Sequence, residues 1–243
     1  MNEKRHNDNG LPDREALRDI IRWDIDNWSR ALPFWEKNAE LRPGMKALGV
    51  GEREGGLSLW LALKGLDVIC TEYTEFPEAT ALLHKKYNIA HRVTYQREDV
   101  CHLSFGDARF DVVILKSMLG ALQTKERQRK AVAEIYRVLK PGGVLLLAEN
   151  TEATLFHRVI RKKFAKWASR WRYLSLKKGD LDLFDAFSEK KTATAGFWGF
   201  MAKGPLIPVI RIAERISAPF VPKAWNYILF AVFKKPTHTF HYK

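Results

Sequence analysis

The 243-residue chain has two cysteines, Cys70 and Cys101, too few for a disulfide framework. Both sit in stretches that read as interior, and a reducing compartment is the simpler inference. Unbroken apolar runs fall far short of the ~20 residues that span a bilayer. Met1 to Gly10 is polar and lacks the ~7–15-residue apolar core of a secretory signal, so a cytoplasmic protein is expected. No GK[ST] follows any glycine cluster, which excludes a P-loop. His84, His91, His102 and His157 do not fall at metal-ligand spacing, and no metal site is expected. Internal repeats and low-complexity tracts are absent. What remains is ordinary globular composition, 46% apolar and 28% charged. A chain of this size can bury ~70–75% of its unfolded surface without a staple.

The net charge is +13, and it is unevenly spread. Residues 1–45 hold 8 Lys and Arg against 9 Asp and Glu. Residues 46–150 hold 15 against 13, and residues 151–243 hold 18 against 6. Nearly all the excess therefore lies in the last part, which points to an anionic partner: a membrane surface, nucleic acid or a phosphorylated substrate.

Hydropathy patterning divides the chain in the same places. Asp13 to Leu41 reads as a helical cap, with Asp13 able to cap it and Pro33 expected to break or kink it. From Met45 onward, short continuous apolar runs alternate with helical segments. The strands read as Met45–Val50, Leu66–Thr71, Arg92–Gln96, Phe110–Lys116 and Val144–Ala148. Helices are expected at Leu57–Leu63, Pro77–Tyr87 and Thr124–Leu139, with a turn at Pro141-Gly142-Gly143. Such alternation predicts a doubly wound parallel sheet with helices on both faces. After Glu149 the alternation stops. A long basic helix is expected over Glu152–Arg172, a short one over Gly179–Phe187 and an apolar one over Leu206–Ile216. Strands are expected at Lys190–Phe197 and Trp225–Phe233, seven in all. The resulting organisation is 1–44 cap, 45–150 α/β core, 151–224 basic helical region and 225–243 final strand and tail.

Candidate functional residues collect at the carboxyl ends of the strands, where parallel sheets bind ligands. The first strand runs into GVGEREGG, Gly49 to Gly56, and opens a helix. Glycines there let backbone approach a ligand, and the helix start offers free N–H groups. The second strand ends at Glu72, about 20 residues on, where an acid can accept from both ribose hydroxyls of a nucleotide. Glu98-Asp99-Val100 follows the third strand, placing an acid near an adenine amino group. Lys116 and Ser117 end the fourth. A nicotinamide dehydrogenase fits less well, because G-x-G-x-x-G would require glycine at Glu54.

The stretch AEIYRVLKPGGVLLLAEN, Ala133 to Asn150, closely resembles the segment through the fifth strand of class I S-adenosylmethionine-dependent methyltransferases. WNYILFAVFKKP resembles that family's antiparallel seventh strand. The resemblance covers roughly Met45 to Asn150 plus this last strand. It implies a Rossmann-like, mostly parallel seven-stranded sheet and S-adenosyl-L-methionine as cofactor. It further implies that Gly49, Gly51 and Gly55 cradle the methionine moiety, Glu72 holds the ribose, Asp99 and Val100 flank the adenine, and Lys116 and Ser117 line the pocket. Two positions depart from the pattern. The family commonly has an acid two residues before the first glycine of its loop, and here that position is Gly49. The middle glycine of G-x-G-x-G is Arg53, whose guanidinium could meet the cofactor carboxylate.

No catalytic base is identified, and Glu149, His102 and His157 are candidates only. Neither N-P-P-Y nor D-P-P-Y follows the fourth strand, which argues against methylation of exocyclic base nitrogens. The expected acceptor is an anionic small molecule, lipid or lipid-linked sugar. An RNA methyltransferase and a non-catalytic S-adenosylmethionine-binding protein are the alternatives. The Glu152–Arg172 segment reads as a packed amphipathic helix, as an interfacial one with Trp167 and Trp171 at lipid headgroups and peripheral contact at the inner face of the membrane, or as a nucleic-acid-binding one.

Overall fold

The computed structural model describes residues 12–164, 170–202 and 204–237. Seven strands form one sheet in the order β3-β2-β1-β4-β5-β7-β6. They are β1 (Lys46–Val50), β2 (Asp67–Glu72), β3 (Val93–Arg97), β4 (Phe110–Lys116), β5 (Leu139–Asn150), β6 (Glu189–Ala195) and β7 (Ile228–Lys234). β3-β2-β1-β4-β5 pair in parallel, while β7 runs antiparallel to both β5 and β6. This is the doubly wound architecture with a reversed last strand that the sequence predicts.

Continuous apolar strands result because both faces are covered. Val112 and Ile114 of β4 point into one core with α4 (Gly56–Leu63), while Val113 and Leu115 point into another with α6 (Lys125–Val138). On the outer flank α5 (Glu78–Lys86) precedes β3. Pro141-Gly142-Gly143 is not a free turn. It is carried inside a twelve-residue β5, with Gly142 at φ +78° and a register shift opposite Phe110/Val112. An irregular ladder of this kind absorbs extra residues as a bulge.

The N-terminal cap is three helices rather than one: α1 (Arg14–Ile21), α2 (Ile25–Trp28) and α3 (Ala31–Asn38). Asp13 caps α1 by accepting from the Ala16 N–H at 2.8 Å. The break falls at Arg22 and Asp24, both with positive φ, not at Pro33. Pro33 lies in the first turn of α3, where its missing N–H costs nothing. Trp28 and Trp35 are fully buried, and the Trp35 indole donates to the Ala231 carbonyl of β7 at 3.1 Å.

The helix expected over Glu152–Arg172 is shorter at its start and does not reach its expected end. α7 (Leu155–Phe164) begins after Thr154, whose hydroxyl accepts from the His157 N–H. Arg170 is in a turn, and Trp171 to Tyr173 is irregular. Trp167 and the tail histidines His238 and His241 lie outside the described residues. α8 (Ile207–Ser217) forms as expected, and Trp225 lies in a short 3-10 turn ahead of β7 rather than in it.

Candidate functional site

The carboxyl ends of β3, β2, β1 and β4 lie side by side, so the sequence-derived residues converge on one edge. Gly51 and Gly55 adopt left-handed φ of +65° and +69°. A side chain at Gly51 would strike Met118 in the loop after β4, and one at Gly55 would meet His84 and Thr80 at 2.8 Å. The loop is thus clamped between its neighbours, which leave no room for a side chain at either glycine. Buried His84 supports it, with Nε2 2.9 Å from the Gly55 carbonyl and the ring stacked on Tyr95. Its supporting role has no signal in the sequence.

Gly49 is explained by Glu52. The Glu52 carboxylate folds back under the loop and fills the space that a side chain at 49 would take. A Cβ there would lie 2.8 Å from Glu52 Cδ and 2.6 Å from Ser58 Oγ. Glu52 Oε2 accepts the Ser58 N–H at 2.8 Å, capping α4 where its N-cap, Gly55, has no side chain to offer. Oε1 and Ser58 Oγ are buried without partners among the described residues. Burial pushes the Glu52 carboxyl up to about 7. The acid absent from position 49 is therefore present in space, three residues later.

Glu72 ends β2 half-buried, with Oε1 accepting the Tyr73 N–H at 2.8 Å. The Glu98 N–H donates to the Glu72 carbonyl at 2.9 Å, which brings the Glu98-Asp99-Val100 segment alongside. Asp99 Oδ1 accepts the Cys101 N–H at 2.9 Å, and Val100 is buried behind it. Arg53 is exposed, and its carbonyl accepts from Thr80 Oγ1 at 3.1 Å.

Lys116 turns toward the cap. Its ammonium lies 5.3 Å over both Trp23 and Trp28 and donates to the Ile21 carbonyl at 3.3 Å. Burial holds it down at about 8. Ser117 has φ +53°, and its hydroxyl accepts from Asn150 Nδ2 at 2.7 Å.

Two of the three base candidates, Glu149 and His157, are occupied elsewhere. Glu149 is fully buried, its carboxylate accepting the N–H groups of Met118, Leu119 and Asn150 at 2.7–2.9 Å. His157 is buried between Thr154 and the Phe197 carbonyl, and desolvation lowers it to about 4. His102 is largely exposed beside Asp99, at the outer end of the edge.

A family model described as a methyltransferase domain matches residues 48–147. The α/β core thus matches a methyltransferase domain, in agreement with its resemblance to class I S-adenosylmethionine-dependent methyltransferases. A demethylmenaquinone methyltransferase of Bacteroides fragilis is 36% identical over 153 residues, covering 61% of this chain and 60% of that protein. The ubiquinone/menaquinone biosynthesis C-methyltransferase UbiE of Shewanella piezotolerans is 27% identical, covering 62% and 59%. The chain thus spans about three fifths of the length of the curated relatives it matches. Among solved structures, a Haemonchus contortus phosphoethanolamine N-methyltransferase 2, in complex with phosphomonomethylethanolamine and S-adenosylhomocysteine, superimposes with TM-score 0.61. It is 19% identical and the match covers 86% of this chain and 53% of that one, a likeness of fold. Outside the methyltransferase core stand the N-terminal helices and everything between β5 and β7.

Proposed function

We propose that the chain transfers a methyl group from S-adenosylmethionine to a lipophilic, quinone-type small molecule met at an anionic membrane surface. The chain's residues fit the cofactor. Gly51 and Gly55 hold left-handed backbone without side chains, which suits close approach by a methionine moiety. Glu72 Oε2 has no partner among the described residues and suits a ribose diol. Asp99 and Val100 stand ready for adenine, and exposed Arg53 can reach a carboxylate. Bound, the cofactor offers a methyl on a sulfonium cation. The protein's task is then to align the acceptor behind it and exclude water.

One observation carries the acceptor class. α8 lies on the surface with its apolar stripe facing outward. Val209, Ile212, Ile216 and Phe220 recur at three- or four-residue steps, and each is at least 60% exposed. Leu155, Phe156 and Val159 of α7 are exposed as well. The two helices are joined through Phe197 and Trp198. Phe156 stacks 6.4 Å from Phe197, and the Trp198 indole donates to Ser217 Oγ at 3.0 Å. Arg215 borders the stripe, as does Arg211, which is paired with Asp26 of α2. Apolar side chains bordered by cations suit a lipid interface, where each basic residue contributes about 1 kcal/mol. RNA would leave the stripe uncovered. The relatives named for menaquinone and ubiquinone biosynthesis support a quinone-type ring. Among the described residues no helix is long and apolar enough to cross a membrane.

The test supplies labelled S-adenosylmethionine and a demethylated, isoprenoid-tailed naphthoquinol in vesicles rich in phosphatidylglycerol. Label should enter the quinol, and the protein should float with these vesicles but not with phosphatidylcholine alone. S-adenosylhomocysteine binding without label transfer would reject this acceptor class.

A further inference from the structure

A cavity of about 430 Å3 lies between α7 and the Trp171–Asp180 segment, opening at the carboxyl ends of β4 and β5. Its position follows from two contacts. Arg161 Nη1 donates to the carbonyl of Thr151, the first residue after β5, at 2.6 Å. The Arg172 N–H donates at 2.9 Å to the carbonyl of Gly120, in the loop after β4, and Trp171 packs against that glycine. The cavity therefore borders the loop that also holds Ser117 and Met118.

Its lining is unbalanced in charge. Arg172 pairs with Asp180 at 2.7 Å and Lys178 with Glu152 at 3.0 Å. Arg158, Arg161 and Lys162 also line it, all from α7, and make no ion pair among the described residues. Arg161 is the unusual one. It is mostly buried, its guanidinium stacks 4.2 Å from the Tyr173 ring centroid, and Nη2 is buried with no hydrogen-bond partner among the described residues. Glu149 lies beneath, but its oxygens already serve three backbone N–H groups. Arginine stays charged in proteins, so Arg161 presents a desolvated cation with a donor left over. Guanidinium groups in this state take oxyanions. Trp171 and Tyr173 add flat apolar wall beside the charge.

We propose that this cavity is an acceptor-binding subsite for an oxyanion carried on an aromatic ring, with Arg161 as the buried anchor and Arg158 and Lys162 at its mouth. The proposal rests on the methyltransferase reading only in calling that ligand an acceptor; the recognition chemistry is independent of it. A phenolate, a ring carboxylate and an aryl phosphate share the required chemistry. A lipid headgroup offers the anion without the ring.

Calorimetry on the full chain separates these. Phenyl phosphate, inorganic phosphate and benzyl alcohol are titrated in turn, with and without S-adenosylhomocysteine. Phenyl phosphate should bind at least tenfold more tightly than either of the others. Arg161→Met should weaken it tenfold or more. Arg161 also holds Thr151, so the exposed pair Arg158→Gln/Lys162→Gln provides a second variant. That variant should fold normally, lose three- to tenfold in phenyl phosphate affinity and leave S-adenosylhomocysteine binding unchanged. Equal affinity for phenyl phosphate and benzyl alcohol would overturn the proposal, as would equal affinity for phenyl and inorganic phosphate, the headgroup-like result. Unchanged affinity in both variants would also overturn it. If phenyl phosphate fails while S-adenosylhomocysteine binds, the subsite falls and the functional reading stands. If wild-type protein binds phenyl phosphate but no S-adenosylhomocysteine, the functional reading falls instead.

Discussion

The carboxylate of Glu52 occupies the place of the side chain that Gly49 lacks. The two positions are therefore coupled, and neither is interchangeable alone. Gly49→Asp would set a second carboxyl against Glu52 in a buried space. That variant should lose about 1–3 kcal/mol of stability through overpacking and like charge. Removing the obstruction in Gly49→Asp/Glu52→Ala should recover much of the loss. Denaturant midpoints of the four proteins in the cycle measure the coupling. Strict additivity would show that the two positions do not share the space.

Glu72 and Arg53 carry the cofactor prediction. Glu72→Ala should weaken S-adenosylhomocysteine binding by about 1.5–3 kcal/mol, the range for hydrogen bonds to a charged group. Arg53→Gly restores the family's glycine pattern, yet it should also weaken binding, because the exposed guanidinium is the group available to meet the cofactor carboxylate. Tighter calorimetric binding in Arg53→Gly would reject that role.

The alternation of strands and helices was legible because strands covered on both faces are continuously apolar. VVIL in β4 and VLLLA in β5 admit little else. The cap was less legible, since its break depends on positive φ at Arg22 and Asp24, residues with no glycine signature. The end of the α7 helix was missed because Trp171 answers to Gly120, fifty-one positions away in sequence, rather than to its own apolar stripe. Glu52 read as one more loop acid, since nothing local announces that the loop folds back. The burial of Glu149 and His157 was hidden for a similar reason, since their partners include backbone groups, which a sequence does not display.

His157 makes a pH prediction with a definite sign. Its folded value is about 4 against an ordinary 6.5, because burial disfavours the charged ring. Between these values the unfolded chain binds more protons, so stability falls as pH drops from 6.5 toward 4. The contribution is at most about 3 kcal/mol. Glu52 and Glu149, both raised to about 7, act in the opposite direction, losing stability as pH rises from about 4.5 to 7. The informative quantity is the difference between wild type and His157→Asn. Wild type should be the more stable at pH 7.5, and its advantage should shrink by pH 5. A constant difference across that range would mean that His157 is not held neutral by the fold.

Asp180 tests what holds the Trp171–Asp180 segment on the core. Its side chain is 2% exposed and receives three donors: Arg172 Nη2 at 2.7 Å, the Ser175 N–H at 2.8 Å and Lys125 Nζ at 3.3 Å. The neighbouring cations hold its carboxyl below the usual carboxylate range despite the opposing effect of burial. Asp180→Ala would leave Arg172 without its carboxylate and the Ser175 N–H without an acceptor. Breaking one side of such a buried pair costs about 3–5 kcal/mol, more than the pair contributes relative to an apolar replacement. Asp180→Asn keeps the shape and one acceptor and should lose less. The urea midpoint should shift with little change in slope, because the same surface unfolds. A loss under about 1 kcal/mol in Asp180→Ala would assign the anchoring of this segment to Leu174, Leu183 and Phe184, which pack in the α6-side core.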